Sequence, residues 1–228
     1  LIVSDLRCED LVDPIGIDIL KPRLSWRMLS GANGAAQSAY QVLVATSPDL
    51  LKEGSADLWD SGKVTTSQSQ HIIYAGKGLS RGIPHYWTVR IWRARHSLAV
   101  PSEALSEGRG DGGPEKGAAS PWGRPATWTY FDMAATKDWQ AKWITEGSSS
   151  PWLRQSVELK DVPTRAYIYV NALGYFQLFI NGKRVGADEF APHVGQYNKR
   201  TFCITYDVTQ YLKKGKNAIG FWLGSGWG

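Results

Sequence analysis

Two cysteines in 228 residues are too few for a disulfide framework. They stand at Cys8 and Cys203, near opposite ends of the chain, and are expected as two free, buried thiols that fix no compartment. No stretch approaches the roughly 18 apolar residues that span a bilayer, so a helical membrane segment is excluded. The net charge of +5 is spread along the chain without a Lys/Arg run, which argues against a nucleic-acid partner. The four histidines, His71, His85, His96 and His193, lack metal-ligand spacing and read as ordinary. No Asn-x-Ser/Thr sequon occurs. Gly224-Ser225-Gly226 has neither the glycine spacing nor the following helix of a nucleophile elbow or dinucleotide turn, so neither chemistry is assigned to it. The chain opens on Leu1 with no basic-then-apolar leader, and is expected to be trimmed or a piece of something longer.

What the sequence does have is aromatic side chains and strand patterns. Eleven Trp and ten Tyr suit β-sandwich cores and sugar-stacking surfaces alike, with core packing the more economical reading. The clearest local signal is Tyr175 to Ile180 followed by Asn181-Gly182 and Lys183-Arg184-Val185. Phe176, Leu178 and Ile180 fall on one face, and Asn-Gly supplies the two positive-φ residues of a type I′ hairpin turn. Further strands are expected at Leu24–Met28, Ala39–Ala45, Gln70–Tyr74, His85–Ala94, Pro125–Phe131, Trp152–Leu159, Arg165–Val170 and Asn217–Leu223, with Thr205–Thr209 in the same series. In His85–Ala94, Trp87, Val89 and Ile91 are assigned to the core, leaving Tyr86, Thr88, Arg90 and Trp92 outward or at an interface. Ser47-Pro48-Asp49 stops the preceding strand and caps a short helical turn.

Short strands with no long amphipathic helix predict an all-β chain of two β-sandwich domains, the first immunoglobulin-like or fibronectin type III-like. The expected boundaries are 1–135, a connector over 136–150 with Trp139 and Trp143 as anchors, and 151–228, this second sandwich standing as one that is incomplete or nearly so. Residues 95–124 form a long Gly/Ala/Ser/Pro-rich loop whose composition favours disorder. Its Arg109-Gly110-Asp111 recurs by chance in such loops and carries little weight as an adhesion motif.

Taken in order, several of these segments resemble the N-terminal region of bacterial α-L-rhamnosidases of glycoside hydrolase family 78. The residues concerned are Leu6-Arg7-Cys8-Glu9, Pro14-Ile15-Gly16-Ile17-Asp18, Lys21 to Trp26, Ala39 to Ala45, Leu58 to Val64, Tyr86 to Trp92, Trp139 to Ile144, Leu173 to Gly186, Thr205 to Thr209, Asn217 to Gly220 and Leu223 to Trp227. The resemblance implies a fibronectin type III-like domain followed by a jelly-roll-like sandwich. It also implies a catalytic helical-barrel domain downstream of Gly228 and a rhamnose-containing glycan as the partner. The parent would be an inverting glycosidase removing terminal α-L-rhamnose from glycosides or pectic polysaccharides, with two carboxylates about 6.5–9.5 Å apart that are not found in these residues. A periplasmic or secreted location fits such a substrate better than the cytoplasm. One departure is Pro192-His193-Val194-Gly195-Gln196-Tyr197, where family members carry a Pro-Gly-Trp-Thr-like stretch.

By itself the chain is therefore expected to be a non-catalytic scaffold with a part in substrate recognition. Rival readings are an independent Ca²⁺-dependent carbohydrate-binding module and a structural or adhesive tandem sandwich. Asp188, Glu189 and Asn198 are the candidate Ca²⁺ ligands, being hard oxygen donors close in sequence. Tyr197, Trp222 and Trp227 are candidate sugar contacts, and the two tryptophans alternatively pack against a further domain.

Overall fold

The computed structural model describes residues 1–31, 33–94, 119–131, 139–144 and 150–226. Arg109-Gly110-Asp111 and Trp227 lie outside the described residues. The chain divides into two compact units, Leu1–Ala135 and Thr136–Gly228.

Unit 1 contains β1 (Ile2–Cys8), β2 (Ile15–Ile17), β3 (Arg23–Leu29), β4 (Gln37–Ala45), β5 (Trp59–Asp60), β6 (Val64–Thr65), β7 (Ile72–Ile73), β8 (Pro84–Arg93) and β9 (Ala126–Tyr130). One sheet runs β1-β3-β7 and the other β2-β9-β8-β4-β5, with β6 pairing β4. Leu24 and Trp26 from the first meet Val42, Val44, Trp87, Val89, Ile91 and Trp128 from the second in one core. Burying each such side chain contributes about 1.5–3 kcal/mol, which is what alternation at period two provides. The assigned core face of β8 is as expected: Trp87, Val89 and Ile91 are fully buried.

The other face of β8 corrects the sequence reading, because Thr88 and Trp92 are buried as well. Ala119 to Gly123 extends the β9 side of β8, with Ser120 N donating to Ile91 O at 2.7 Å and Gly123 N to Val89 O at 2.8 Å. Thr88 Oγ1 donates to Gly123 O at 2.7 Å. Lys63 and Arg90 lie over the Trp92 ring, and Arg90 also over Trp122. The C-terminal end of the expected long loop is thus ordered backbone, while 95–118 lies outside the described residues. The expected strand over Gln70–Tyr74 shortens to β7, and Tyr74 N donates to Pro22 O at 2.9 Å in line with the β3–β7 pairing. β1 and β2 carry no alternation strong enough to announce them, and are set by pairing with β3 and β9.

Unit 2 contains β10 (Trp152–Leu159), β11 (Tyr167–Asn171), β12 (Tyr175–Ile180), β13 (Lys183–Val185), β14 (Cys203–Asp207) and β15 (Gly215–Gly224). Its sheets run β10-β15-β12-β13 and β11-β14. Thr209, expected in a strand, begins a 3-10 turn instead, its N–H donating to Asp207 Oδ1 at 2.9 Å. The hairpin is as the Asn-Gly signal requires: Ile180 pairs Lys183, and Asn181 and Gly182 have φ of 52° and 80°. Phe176, Leu178 and Ile180 are buried together with Val170, Val185 and Val208.

Neither cysteine is paired, and Cys8 is buried, its thiol held well above the ordinary range by desolvation. Cys203 is exposed rather than buried, although partial desolvation still pushes its thiol up to about 11.

His85 gives unit 1 a defined acid response. Its ring is fully buried, stacks on Trp128 at 5.6 Å, and accepts a hydrogen bond at Nε2 from Ser80 N at 3.2 Å. Burial lowers its pKa below the usual value of 6.5. The native state therefore holds the neutral ring while the unfolded chain takes up a proton from about pH 6.5 downward. The stability this group contributes is intact above that pH and is lost as pH falls, at up to roughly 1.4 kcal/mol per pH unit. Denaturant midpoints measured from pH 7.5 to 5 should fall in the native chain, and fall less in His85→Phe.

Candidate functional site

The tryptophans divide sharply between the units. Unit 1 buries Trp26, Trp87 and Trp128 completely, whereas all four described tryptophans of unit 2 are exposed, from Trp139 at 41% to Trp152 at 69%. A core explains the first set and not the second. Trp139 and Trp143 border one hollow and Trp222 another.

The larger hollow, about 600 Å³, opens between the sheets of unit 2. Leu153, Phe221 and Leu223 line it from β10 and β15, Tyr169 to Asn171 from β11, and Trp139 and Trp143 from the connecting stretch. Its walls are mostly apolar, with Lys142, Tyr169, Asn171 and Tyr175 bringing polar groups. Asn171 Nδ2 donates to Thr201 Oγ1 at 2.6 Å, while the buried Oδ1 receives no hydrogen bond among the described residues.

The smaller hollow, about 230 Å³, lies where Tyr175, Gln177, Trp222 and Gly224 meet Glu189 and Phe190. Strand register builds it. Trp152 stands opposite Trp222, Trp222 opposite Gln177, and Tyr175 opposite Gly224. Period two turns these five residues to the outer face, away from Phe176, Leu178 and Phe221. The missing side chain at Gly224 leaves the gap beside Tyr175. Phe176 N donates to Ala191 O at 2.9 Å, which holds Phe190 next to Tyr175, the rings meeting edge to face at 5.5 Å. Trp152 stacks on Trp222 at 5.0 Å and 23°. The Gln177 amide makes no hydrogen bond among the described residues.

Of the sequence-predicted site residues, Trp222 and Glu189 are brought together at this hollow. Tyr197 and Asn198 sit in a separate turn closed by Lys199 N and Arg200 N donating to Gln196 O at 2.7 and 2.8 Å. Glu189 Oε1 pairs with Arg184 Nη1 at 3.2 Å, Arg184 Nη2 donates to Asp188 O at 2.6 Å, and the Tyr206 hydroxyl donates to Asp188 Oδ2 at 3.3 Å. Desolvation, with the neighbouring Asp188 charge, pushes the Tyr206 hydroxyl up to about 12, so it stays a donor. The two carboxylates have different partners, and no group of three or more His, Cys, Asp or Glu side chains is gathered among the described residues. Trp152, Tyr175, Gln177 and Phe190 were missed from sequence. The first two and Gln177 share the parity of Trp222 across paired strands, a signal that needs the register to be read.

Two family descriptions match the chain: a Rha78A-like N-terminal immunoglobulin domain over residues 3–106, and an alpha-L-rhamnosidase N-terminal domain over residues 161–228. The chain carries the two N-terminal domain types of the α-L-rhamnosidases. Two Formosa agariphila proteins named alpha-L-rhamnosidase are 34% and 30% identical to it over 96% and 94% of this chain. The solved α-L-rhamnosidase from Dictyoglumus thermophilum superposes with a TM-score of 0.79 at 30% identity, covering 99% of this chain and 25% of that one. The chain spans about a quarter of the length of the rhamnosidases it matches, 23% of each Formosa protein. Unit 1 is accordingly immunoglobulin-like, and the hollows described above belong to the unit that contains the rhamnosidase N-terminal domain match.

Proposed function

We propose that this chain is the non-catalytic N-terminal part of an enzyme that removes terminal α-L-rhamnose from glycosides or pectic polysaccharides. Identity of 30–34% along nearly the whole chain to proteins named alpha-L-rhamnosidase carries the proposal. Within it, the two units act as scaffold for a catalytic helical-barrel domain that follows. Trp143 and Ile144, both about two-thirds exposed beside the larger hollow, supply apolar area for such a neighbour to cover. Unit 2 contributes to substrate recognition. A calcium-dependent form of that recognition would recruit Asp188, Glu189 and Asn198, and would require Glu189 to leave Arg184.

The test is hydrolysis of 4-nitrophenyl α-L-rhamnopyranoside by the longer polypeptide and by residues 1–228 separately. Release of nitrophenol by the longer polypeptide alone is the expected result. Turnover by residues 1–228 would overturn the non-catalytic assignment, and an inert longer polypeptide would overturn the rhamnosidase one.

A further inference from the structure

We propose that the free edge of β10 pairs antiparallel with the same edge of a second copy of this chain, joining two four-stranded sheets of unit 2 across a two-fold axis at Ser156. β10 ends its sheet, with β15 on one side and no strand on the other among the described residues. Such an edge carries a row of unpaired N–H and C=O groups, and proteins ordinarily blunt it with a proline, a bulge or brevity. β10 has none of these. It runs eight residues without proline, each paired with β15 in unbroken register, whereas β13 at the opposite edge has three.

The phase of the ladder decides which backbone groups are free. Pro151 O accepts from Leu223 N at 3.0 Å, and pairing alternates along an antiparallel strand, so Leu153, Gln155, Val157 and Leu159 turn their backbone groups to β15. Trp152, Arg154, Ser156 and Glu158 turn theirs outward. The Ser156 carbonyl is met by the neighbouring Gln155 side-chain amide at 3.3 Å, a long local contact that an incoming strand would replace.

The side chains of the same residues choose the register. An isologous contact through Ser156 sets it opposite itself, Arg154 opposite the second copy's Glu158, Glu158 opposite its Arg154, and Trp152 opposite its Lys160. Moving the axis to Arg154 or to Glu158 sets like charges face to face, and moving it to Val157 sets Arg154 opposite Lys160. An axis at Gln155 leaves Arg154 opposite Ser156. Within its own sheet Arg154 faces Gly220 and finds no charge, while Glu158 faces Lys216, so the joined sheet alternates in sign through Lys216, Glu158 and the second copy's Arg154. Trp152 stacks on Trp222 yet stays 69% exposed, which leaves ring surface for an ammonium group to cover. On the other face Leu153 meets Leu159 and Gln155 meets the exposed Val157, extending apolar contact across the seam.

The experiment is sedimentation equilibrium of residues 1–228 over the micromolar range, with near-ultraviolet circular dichroism confirming that each variant is folded. The native chain should move from 25.3 kDa towards twice that mass as concentration rises. Arg154→Glu and Glu158→Arg each create two like-charge pairs in the dimer, and each should weaken it by on the order of tenfold or more. An equimolar mixture of the two variants restores opposite charges at both pairs and should return association to within several-fold of native. Ser156→Pro removes an outward N–H while leaving the β15 ladder whole, so it should be monomeric. A native chain that stays at 25.3 kDa at every concentration overturns the proposal. A dimer indifferent to the single reversals or to Ser156→Pro joins through another surface and overturns it too, and loss in both variants without recovery in their mixture refutes the register. The hydrolysis test is independent of all these outcomes.

Discussion

Replacing Asn217 by Ala is expected to destabilise unit 2 by about 2–4 kcal/mol, lowering its thermal midpoint by on the order of 10 °C or more. Asn217 is almost completely buried, and every hydrogen-bonding position of its amide is in use. Its Oδ1 accepts from Lys213 N and from Asn181 Nδ2, each at 2.9 Å. Its Nδ2 donates to Lys213 O at 2.7 Å and to Gly215 O at 2.9 Å. The second asparagine closes the brace, with Asn181 Oδ1 accepting from Ala218 N at 3.0 Å and Nδ2 donating also to Tyr211 O at 2.9 Å. Two side chains thus tie the turn of the β12–β13 hairpin to the entry of β15. Truncating Asn217 removes a partner from two backbone carbonyls, from one backbone N–H and from one N–H of the Asn181 amide, and unsatisfied groups cost more than the bonds themselves contribute. Asn217→Asp is the sharper variant. It keeps shape and the Oδ1 contacts but points a carboxylate oxygen at two carbonyls, so it should be no more stable than Asn217→Ala. Hydrogen exchange localises the effect: peptides covering 178–183 and 211–219 should lose protection together, while those from β8 should not change. Protection lost only at 211–219 would show that Asn181 is not part of the brace.

This brace shows what was legible in the sequence and what was not. Asn181-Gly182 announces its turn through local backbone chemistry, two residues that tolerate positive φ between alternating strands, and the turn forms where expected. That the same Asn181 side chain reaches Asn217, thirty-six residues away, depends on strand order, which no local pattern encodes. The same division holds elsewhere. Trp87, Val89 and Ile91 could be assigned to the core because period two is local. Thr88 and Trp92 could not, because what covers them arrives from Ala119 to Gly123 and from Lys63. At the candidate site the sequence pointed to Trp222 by residue type. Trp152, Gln177 and Tyr175 became visible only through the pairs that align them with it and with Gly224. Type and period are properties of a segment, whereas a site is a property of register between segments.

The second large effect is expected from Gly174→Ala, which should destabilise unit 2 by about 2–4 kcal/mol although it adds a single methyl group. The reason is close backbone approach. A Cβ at Gly174 would stand 2.5 Å from Gly224 O and 3.0 Å from Gly226 N, and one at Gly226 would stand 2.5 Å from the Cα of Gly174. These obstacles are main-chain atoms, so no rotamer change relieves the clash; the start of β12 and the end of β15 must separate. Gly224, between them in sequence, has room for a Cβ. The predicted order of stability is therefore native and Gly224→Ala nearly equal, with Gly174→Ala and Gly226→Ala far below, read from denaturant midpoints of the three variants. Equal losses in all three would mean that strand propensity, rather than the approach of the two chains, sets the cost. The double variant Gly174→Ala/Gly226→Ala adds a further discrimination: once one methyl has parted the strands, the second meets little resistance, so the combined loss should be well short of the sum. Gly174 and Gly224 line the larger hollow and Gly224 the smaller, so the strand pairing that forces glycine at 174 and 226 also shapes the walls of both.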